Sequence, residues 1–198
     1  AVAAPCTYNR GLRDNPCYAH LDSPIVDEAR GCAFCISPEG LRQVKERSKD
    51  VRTGPLDLAL TQIEAHQRDV PEPQGGYRYS SEDGVVAASI VAFLEALLAR
   101  GLKASTVSLK NVRADHVLAA GGGFSRVLPA LQEAGHALRL VSIGAESFSD
   151  EENARFNKGL KAGDIWRCYE TVRQLEADHG ETFGCQEHGV LACLMFTP

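Results

Sequence analysis

Apolar residues recur at helical spacing between positions 86 and 98. Val86, Ile90, Phe93, Leu94, Leu97 and Leu98 line one side, which predicts a strongly amphipathic helix ending at Gly101. The pattern then changes to alternation. The β-branched run 106–112 predicts a strand, 125–134 a helix stopped by Gly135, and 138–145 a second strand. Ser149 with Glu152 forms a capping box for a short helix closing near Lys158-Gly159. A longer helix is expected over 164–179 with Gly180 as its stop, and a final strand over 190–196. Upstream, Ser37-Pro38-Glu39 begins a helix whose apolar face starts with Leu41 and Val44. A second helix is predicted over 55–66, with Leu56, Leu60 and Ile63 on one side, and 71–81 reads as a breaker-rich loop containing Gly75-Gly76.

Alternating helices and strands predict an α/β fold with a parallel sheet. Ligands of such sheets sit at the carboxyl ends of the strands. Two segments fall at such ends by spacing: the loop after the short apolar stretch at Ile25 and Val26, and the end of the 138–145 strand.

Composition narrows the function classes. With 198 residues, 44% hydrophobic and 24% charged, the chain suits one domain with a sizeable core. A net charge of -5 with scattered Lys and Arg argues against a nucleic-acid binder. No apolar run approaches the roughly 20 residues of a membrane span, and no basic-then-apolar leader is present. Because Met195 is the only methionine and Pro198 follows directly on an apolar strand-like run, the sequence reads as a truncated piece of a longer chain.

Seven cysteines carry the clearest chemical signal. Cys6, Cys17, Cys32 and Cys35 crowd the irregular first 37 residues, while Cys168, Cys185 and Cys193 lie late. A chain with this much core has no need of a disulfide scaffold, so reduced, cytoplasmic, metal-binding thiols are expected. In Arg30-Gly31-Cys32-Ala33-Phe34-Cys35, two thiolates two residues apart can grip one metal or cluster, and the glycine lets the backbone come close. A structural zinc knuckle has no use for the phenylalanine between them. On the cysteines alone, a four-thiolate zinc site from Cys6, Cys17, Cys32 and Cys35 and an iron–sulfur site stand level.

The CxFC run, read with Ser142-Ile143-Gly144-Ala145-Glu146-Ser147 and the later Asp150 and Asn157-Lys158-Gly159, resembles the radical S-adenosylmethionine superfamily over roughly residues 25–198. Both segments match in the right order and distance. The resemblance implies a partial, truncated (β/α) TIM-like barrel over 38–198, preceded by a cysteine-rich segment, 1–37, holding the cluster loop. It implies a [4Fe–4S] cluster on three cysteines, and S-adenosylmethionine cleaved reductively to a 5′-deoxyadenosyl radical that acts on an unidentified substrate. An electron donor such as flavodoxin or ferredoxin would serve it, and some relatives carry a cobalamin domain ahead of the barrel. Phe34 would flank adenine, Arg113 would pair with the cofactor carboxylate, and Ser142, Glu146 and Ser147 would belong to the cofactor site, with Glu146 and Ser147 on the ribose. The departure is Glu28, which stands where the family has its first cysteine. The third ligand must then be Cys17, favoured as nearer, or Cys6.

Other features are weaker. Arg113 has an ordinary alternative as a surface ion pair with Asp115. Gly75-Gly76 reads better as a turn than as part of a cofactor site, and Gly121-Gly122-Gly123 is expected to be a loop before a helix. Cys185 and His188 are spaced for metal or acid–base work but suit ordinary loop content as well. Cys168 and Cys193 read as buried thiols, and His20, His66, His116, His136 and His179 have no partners in spacing. The rival reading from another class is a non-catalytic, zinc-stabilised α/β domain that binds a partner through its cysteine-rich lobe.

Overall fold

The computed structural model describes residues 8, 10–33, 55–81, 86–87, 89–185 and 191–193. Its elements are α1 (Pro24–Glu28), α2 (Pro55–Asp69), β1 (Arg78–Ser81), α3 (Ile90–Ala99), β2 (Thr106–Leu109), β3 (Val112–Arg113), α4 (Ala114–Glu133), β4 (Leu138–Leu140), β5 (Ile143–Glu146), α5 (Asp150–Arg155), α6 (Ala162–His179), β6 (Phe183–Cys185) and β7 (Leu191–Cys193). Strands β1-β2-β4-β6 form one sheet and β3-β5-β7 another, and every pairing is parallel. The fold is therefore α/β with a parallel sheet, as the alternation predicts.

The two sheets are successive levels of the same strands. β3 follows β2 after Lys110-Asn111, and β5 follows β4 after Val141-Ser142. Asn111 sits in the left-handed region at φ 54°, which asparagine tolerates better than most residues. Its N–H donates to the Ser142 hydroxyl at 3.0 Å, and that hydroxyl donates to Asn111 Oδ1 at 3.2 Å. Neighbouring strands thus break at the same height and satisfy each other there.

Strand register explains where the core lies. Tyr79, Val107, Leu138 and Phe183 stand in one row across the lower sheet, and Ser80, Ser108, Arg139 and Gly184 in the next. Val107, Leu138 and Phe183 are buried, together with Leu109 and Leu140, in one cluster with Phe93, Leu94 and Leu97 of α3, Phe124, Leu128 and Leu131 of α4, and Val172 of α6. Phe124 and Phe183 meet at 5.8 Å. Each such side chain contributes about 1.5–3 kcal/mol by leaving water. The alternate row is polar and only half-covered or exposed. A parallel sheet buried on both faces would read as continuously apolar; this one packs a single face against helices.

Several expectations are corrected. α4 starts at Ala114, well ahead of position 125, and runs through Gly121-Gly122-Gly123. A Cβ on Gly123 would lie 2.7 Å from Cγ2 of Val91, so this glycine permits the close approach of α3 and α4. At that position the packing offsets a helix-propensity cost of about 1 kcal/mol. Arg78–Ser81, inside the predicted loop, is a strand at the sheet edge, because its backbone pairs with β2. Ile25 and Val26 lie in helix α1, which Pro24 opens at its first turn, so the cysteine loop follows a helix and not a strand. Residues 110–111 and 141–142 interrupt the two predicted strands. α5 stops at Arg155, earlier than expected, although Ser149 does cap it by accepting the Glu152 N–H. Strand β6 was not anticipated and contains Cys185. The expected helix after Ser37 and His188 lie outside the described residues.

Candidate functional site

Backbone placement comes first. Arg113 ends β3 and pairs in register with Gly144 of β5, while Glu146 ends β5. Both therefore stand at the carboxyl end of the sheet. Glu146 has φ 64°, an unusual state for a residue with a long side chain, and it turns the carboxylate back over Gly144. There it meets Lys158 Nζ at 2.6 Å, with the Lys and Glu side chains only 6% and 11% exposed. A Cβ on Gly144 would sit 2.9 Å from Glu146 Oε1 and 3.0 Å from Lys158 Nζ. Glycine at 144 is what leaves room for this ion pair.

Lys158 in turn ties Arg113 into the same group. Its carbonyl accepts from Arg113 Nη2 at 3.1 Å. The guanidinium also pairs with Asp115 at 2.9 Å, reaches Cys32 Sγ at 3.9 Å from Nη1, and lies 4.2 Å from the ring centre of Tyr8. Burial pushes the Asp115 carboxyl up, but the hydrogen bond and charge of Arg113 outweigh this and hold it below the ordinary range. Burial likewise lowers His116, with Asp115 working against that and the cations Arg113 and Lys158 adding to it. The Arg113–Asp115 pair is present as the plainer reading expected, but the arginine is buried instead of superficial.

The cysteine loop is docked onto this group by backbone and amide hydrogen bonds. Gly31, at φ 91°, receives the Asn157 amide on its carbonyl at 2.7 Å, and the Ala33 N–H donates to the Phe156 carbonyl at 2.8 Å. Cys32 is thereby brought beside Arg113. Cys17 is half-buried; its N–H donates to Asn15 Oδ1 at 3.0 Å, and Asn15 Nδ2 donates to Asn157 Oδ1 at 3.0 Å. Tyr18 also donates to the Arg155 carbonyl.

Of the residues singled out from sequence, Cys32, Arg113 and Glu146 converge, linked through Lys158. Ser142 does not join them: its hydroxyl is engaged with Asn111 at the strand break. The Ser147 hydroxyl accepts from the Ser149 N–H at 3.1 Å, shaping the loop after β5. Cys6, Phe34 and Cys35 lie outside the described residues. Among the described residues, no three His, Cys, Asp or Glu side chains come together as a metal cage. Gly75 and Gly76 form a turn, closed by the Gly76 N–H on the Pro73 carbonyl. Cys168 is buried, and burial pushes its thiol to about 11 and that of Cys185 to about 12, so both are inert thiols at neutral pH.

Sequence reasoning missed Tyr8, Asn15 and the roles of Asn157 and Lys158. The latter two read as a helix stop. The available signal was an asparagine before Lys-Gly, a residue suited to the left-handed φ of 51° that it adopts.

Among the described residues the arrangement therefore offers one sulfur donor, Cys32, beside the buried Arg113 guanidinium, with Arg113 paired to Asp115 and Lys158 to Glu146. A guanidinium beside sulfur complements the negative charge that metal-bound thiolates carry. Among the described residues no helix is long and apolar enough to cross a membrane. Compared with protein-family models, curated proteins and solved structures, the chain finds no match.

Proposed function

We propose that this chain is the partial (β/α) barrel of a radical S-adenosylmethionine enzyme, with its cluster loop in the N-terminal segment. The observation that carries the reading is the convergence of Cys32, Arg113 and the Lys158–Glu146 pair at the carboxyl end of the parallel sheet. The all-parallel pairing of the strands, with helices packed on the apolar face, supports (β/α) units of that kind. Cys32, Cys35 and Cys17 would hold the cluster, with Cys6 the other candidate for the third place, and Phe34 would flank the adenine.

When bound, the [4Fe–4S] cluster and S-adenosylmethionine supply the electron and the sulfonium whose reductive cleavage starts radical chemistry on substrate. The chain's own residues hold and orient. Arg113 offers positive charge to the cofactor carboxylate, and it must exchange one of its present contacts to do so. Glu146, held by Lys158 through Oε1, presents its remaining carboxylate oxygen to ribose hydroxyls, with Ser147 beside it in sequence. Burial of Arg113 and Lys158 keeps water from screening these charges. An electron donor of the flavodoxin or ferredoxin type completes the reaction, and a cobalamin domain is compatible with a longer chain.

The test is anaerobic reconstitution with iron and sulfide, followed by iron and sulfide counting and cluster absorbance. Four irons per chain, with S-adenosylmethionine binding lost in Glu146→Ala, is the expected result. A protein that takes up zinc and never iron overturns the proposal in favour of the zinc-stabilised binding domain. Retained cofactor binding in Glu146→Ala overturns the ribose assignment alone.

A further inference from the structure

We infer that Asn157 is the positioning residue of the metal loop, setting the two cysteine-bearing N-terminal segments in place before any metal arrives; this rests on the reading of Cys17 and Cys32 as ligands of one centre. Asn157 is fully buried and stands in the turn after α5, far in sequence from both cysteines. Its amide nitrogen donates to the Gly31 carbonyl at 2.7 Å and to the Arg10 carbonyl at 3.1 Å. Its amide oxygen accepts from Asn15 at 3.0 Å, and Asn15 in turn receives the Cys17 N–H and donates to the Ala154 carbonyl at 2.7 Å. A continuous run of hydrogen bonds thus links the Cys17 backbone to the peptide bond that precedes Cys32, and one side chain stands at its centre.

The chemistry of the residue suits that role. A side-chain amide both donates and accepts, so it can serve three partners at once. The left-handed φ of 51° restricts the position to residues such as Asn, Asp and Gly. Buried, its polar atoms are satisfied by protein groups, so losing one partner leaves the others exposed to desolvation cost. Groups that orient ligands without touching the metal commonly alter metal affinity by 10- to 100-fold when changed.

The informative variant is Asn157→Asp, which keeps shape, tolerates the same φ and accepts from Asn15, but donates to neither carbonyl. Hydrogen exchange in the metal-free protein reads the positioning directly. Amides of residues 10–33 are expected to be protected in the parent chain and to lose that protection in the variant, while the amides of α4 and α6 keep theirs. After reconstitution, the variant should lose iron to a chelator about tenfold or more faster. The electron paramagnetic resonance shift of the reduced cluster on adding S-adenosylmethionine should be broadened or lost. Asn157→Gly, which relaxes φ but removes every side-chain bond, should behave like Asn157→Asp; a merely conformational role would leave it like the parent. Unchanged exchange over 10–33 in both variants overturns the inference whatever metal is bound. Failure of the parent chain to take iron defeats the radical reading instead, and the exchange result still decides the role of Asn157.

Discussion

Removing the Lys158 charge should destabilise the protein far more than removing a surface lysine. At 2.6 Å, the Lys158–Glu146 attraction is about 6 kcal/mol at an effective dielectric constant of about 20. Taking two side chains that are 6% and 11% exposed out of water removes most of that gain, so the intact pair is worth little net. Breaking it is another matter, because Lys158→Met leaves the Glu146 carboxylate buried beside a sheet with no counter-charge at its Oε1. The expected loss is about 3 kcal/mol. With a urea slope of about 2 kcal/mol per M, the unfolding midpoint should fall by about 1.5 M. Adding Glu146→Gln to Lys158→Met should restore about 2 kcal/mol, since two neutral groups carry no unpaired charge. Equilibrium urea unfolding of the parent, both single variants and the double variant measures the whole cycle. A shift under about 0.3 M for Lys158→Met, or a double variant as unstable as the sum of the singles, would refute the reasoning.

Cys17→Ala should lose the reconstituted cluster while Cys6→Ala retains most of its iron; equal loss from both would indicate a four-thiolate site without an open iron. Gly144→Ala should weaken the same ion pair by pressing a methyl group against Glu146 Oε1 and Lys158 Nζ, costing about 1–3 kcal/mol in thermal or urea unfolding, and Lys158→Met should erase most of that difference. Gly159→Ala meets both a φ of 71° and the Tyr8 hydroxyl at 2.6 Å, so a loss of about 2 kcal/mol is expected, with the Tyr8 ring displaced from Arg113. Because burial raises the Cys168 and Cys185 thiols, iodoacetamide at pH 8 should leave both unmodified in the folded chain, and stability should decline above pH 9 as the unfolded chain ionises its thiols before the folded one does.

The sequence made β2, β4 and most of the helices around them legible because burial and periodicity coincide there. The apolar stripe of α3, the alternation in 106–112 and the stop at Gly180 each reflect a contact or cap that one segment largely determines. What escaped depends on partners far along the chain. Three glycines read as a loop, yet they lie inside α4, and the near contact with Val91 accounts for the last of them, Gly123. Arg78–Ser81 has an unremarkable pattern because an edge strand is defined by the backbone it pairs with. At the candidate site, Cys32, Arg113 and Glu146 were readable as residue types with a chemical use. Lys158 and Asn157 were not, since their importance comes from hydrogen bonds reaching back to residues 10–33 and across to Glu146.

The paired interruption at Asn111 and Ser142 divides labour within the sheet. Below it, Val107, Leu109, Leu138 and Leu140 are packed into the shared apolar interior. Above it, a short stretch of backbone carries Arg113 and Glu146 at its tips. Val112 and Ile143 of the upper strands share that interior, so the two storeys are joined by hydrocarbon as well as by the Asn111–Ser142 contact, and only the strand tips can be rewritten with modest consequence for the lower sheet. A lineage could alter the polar ends of β3 and β5, and with them the ligand they greet, while inheriting the same folded foundation. Asn111 and Ser142 are then a seam: a change to one is tolerated best when the other changes with it.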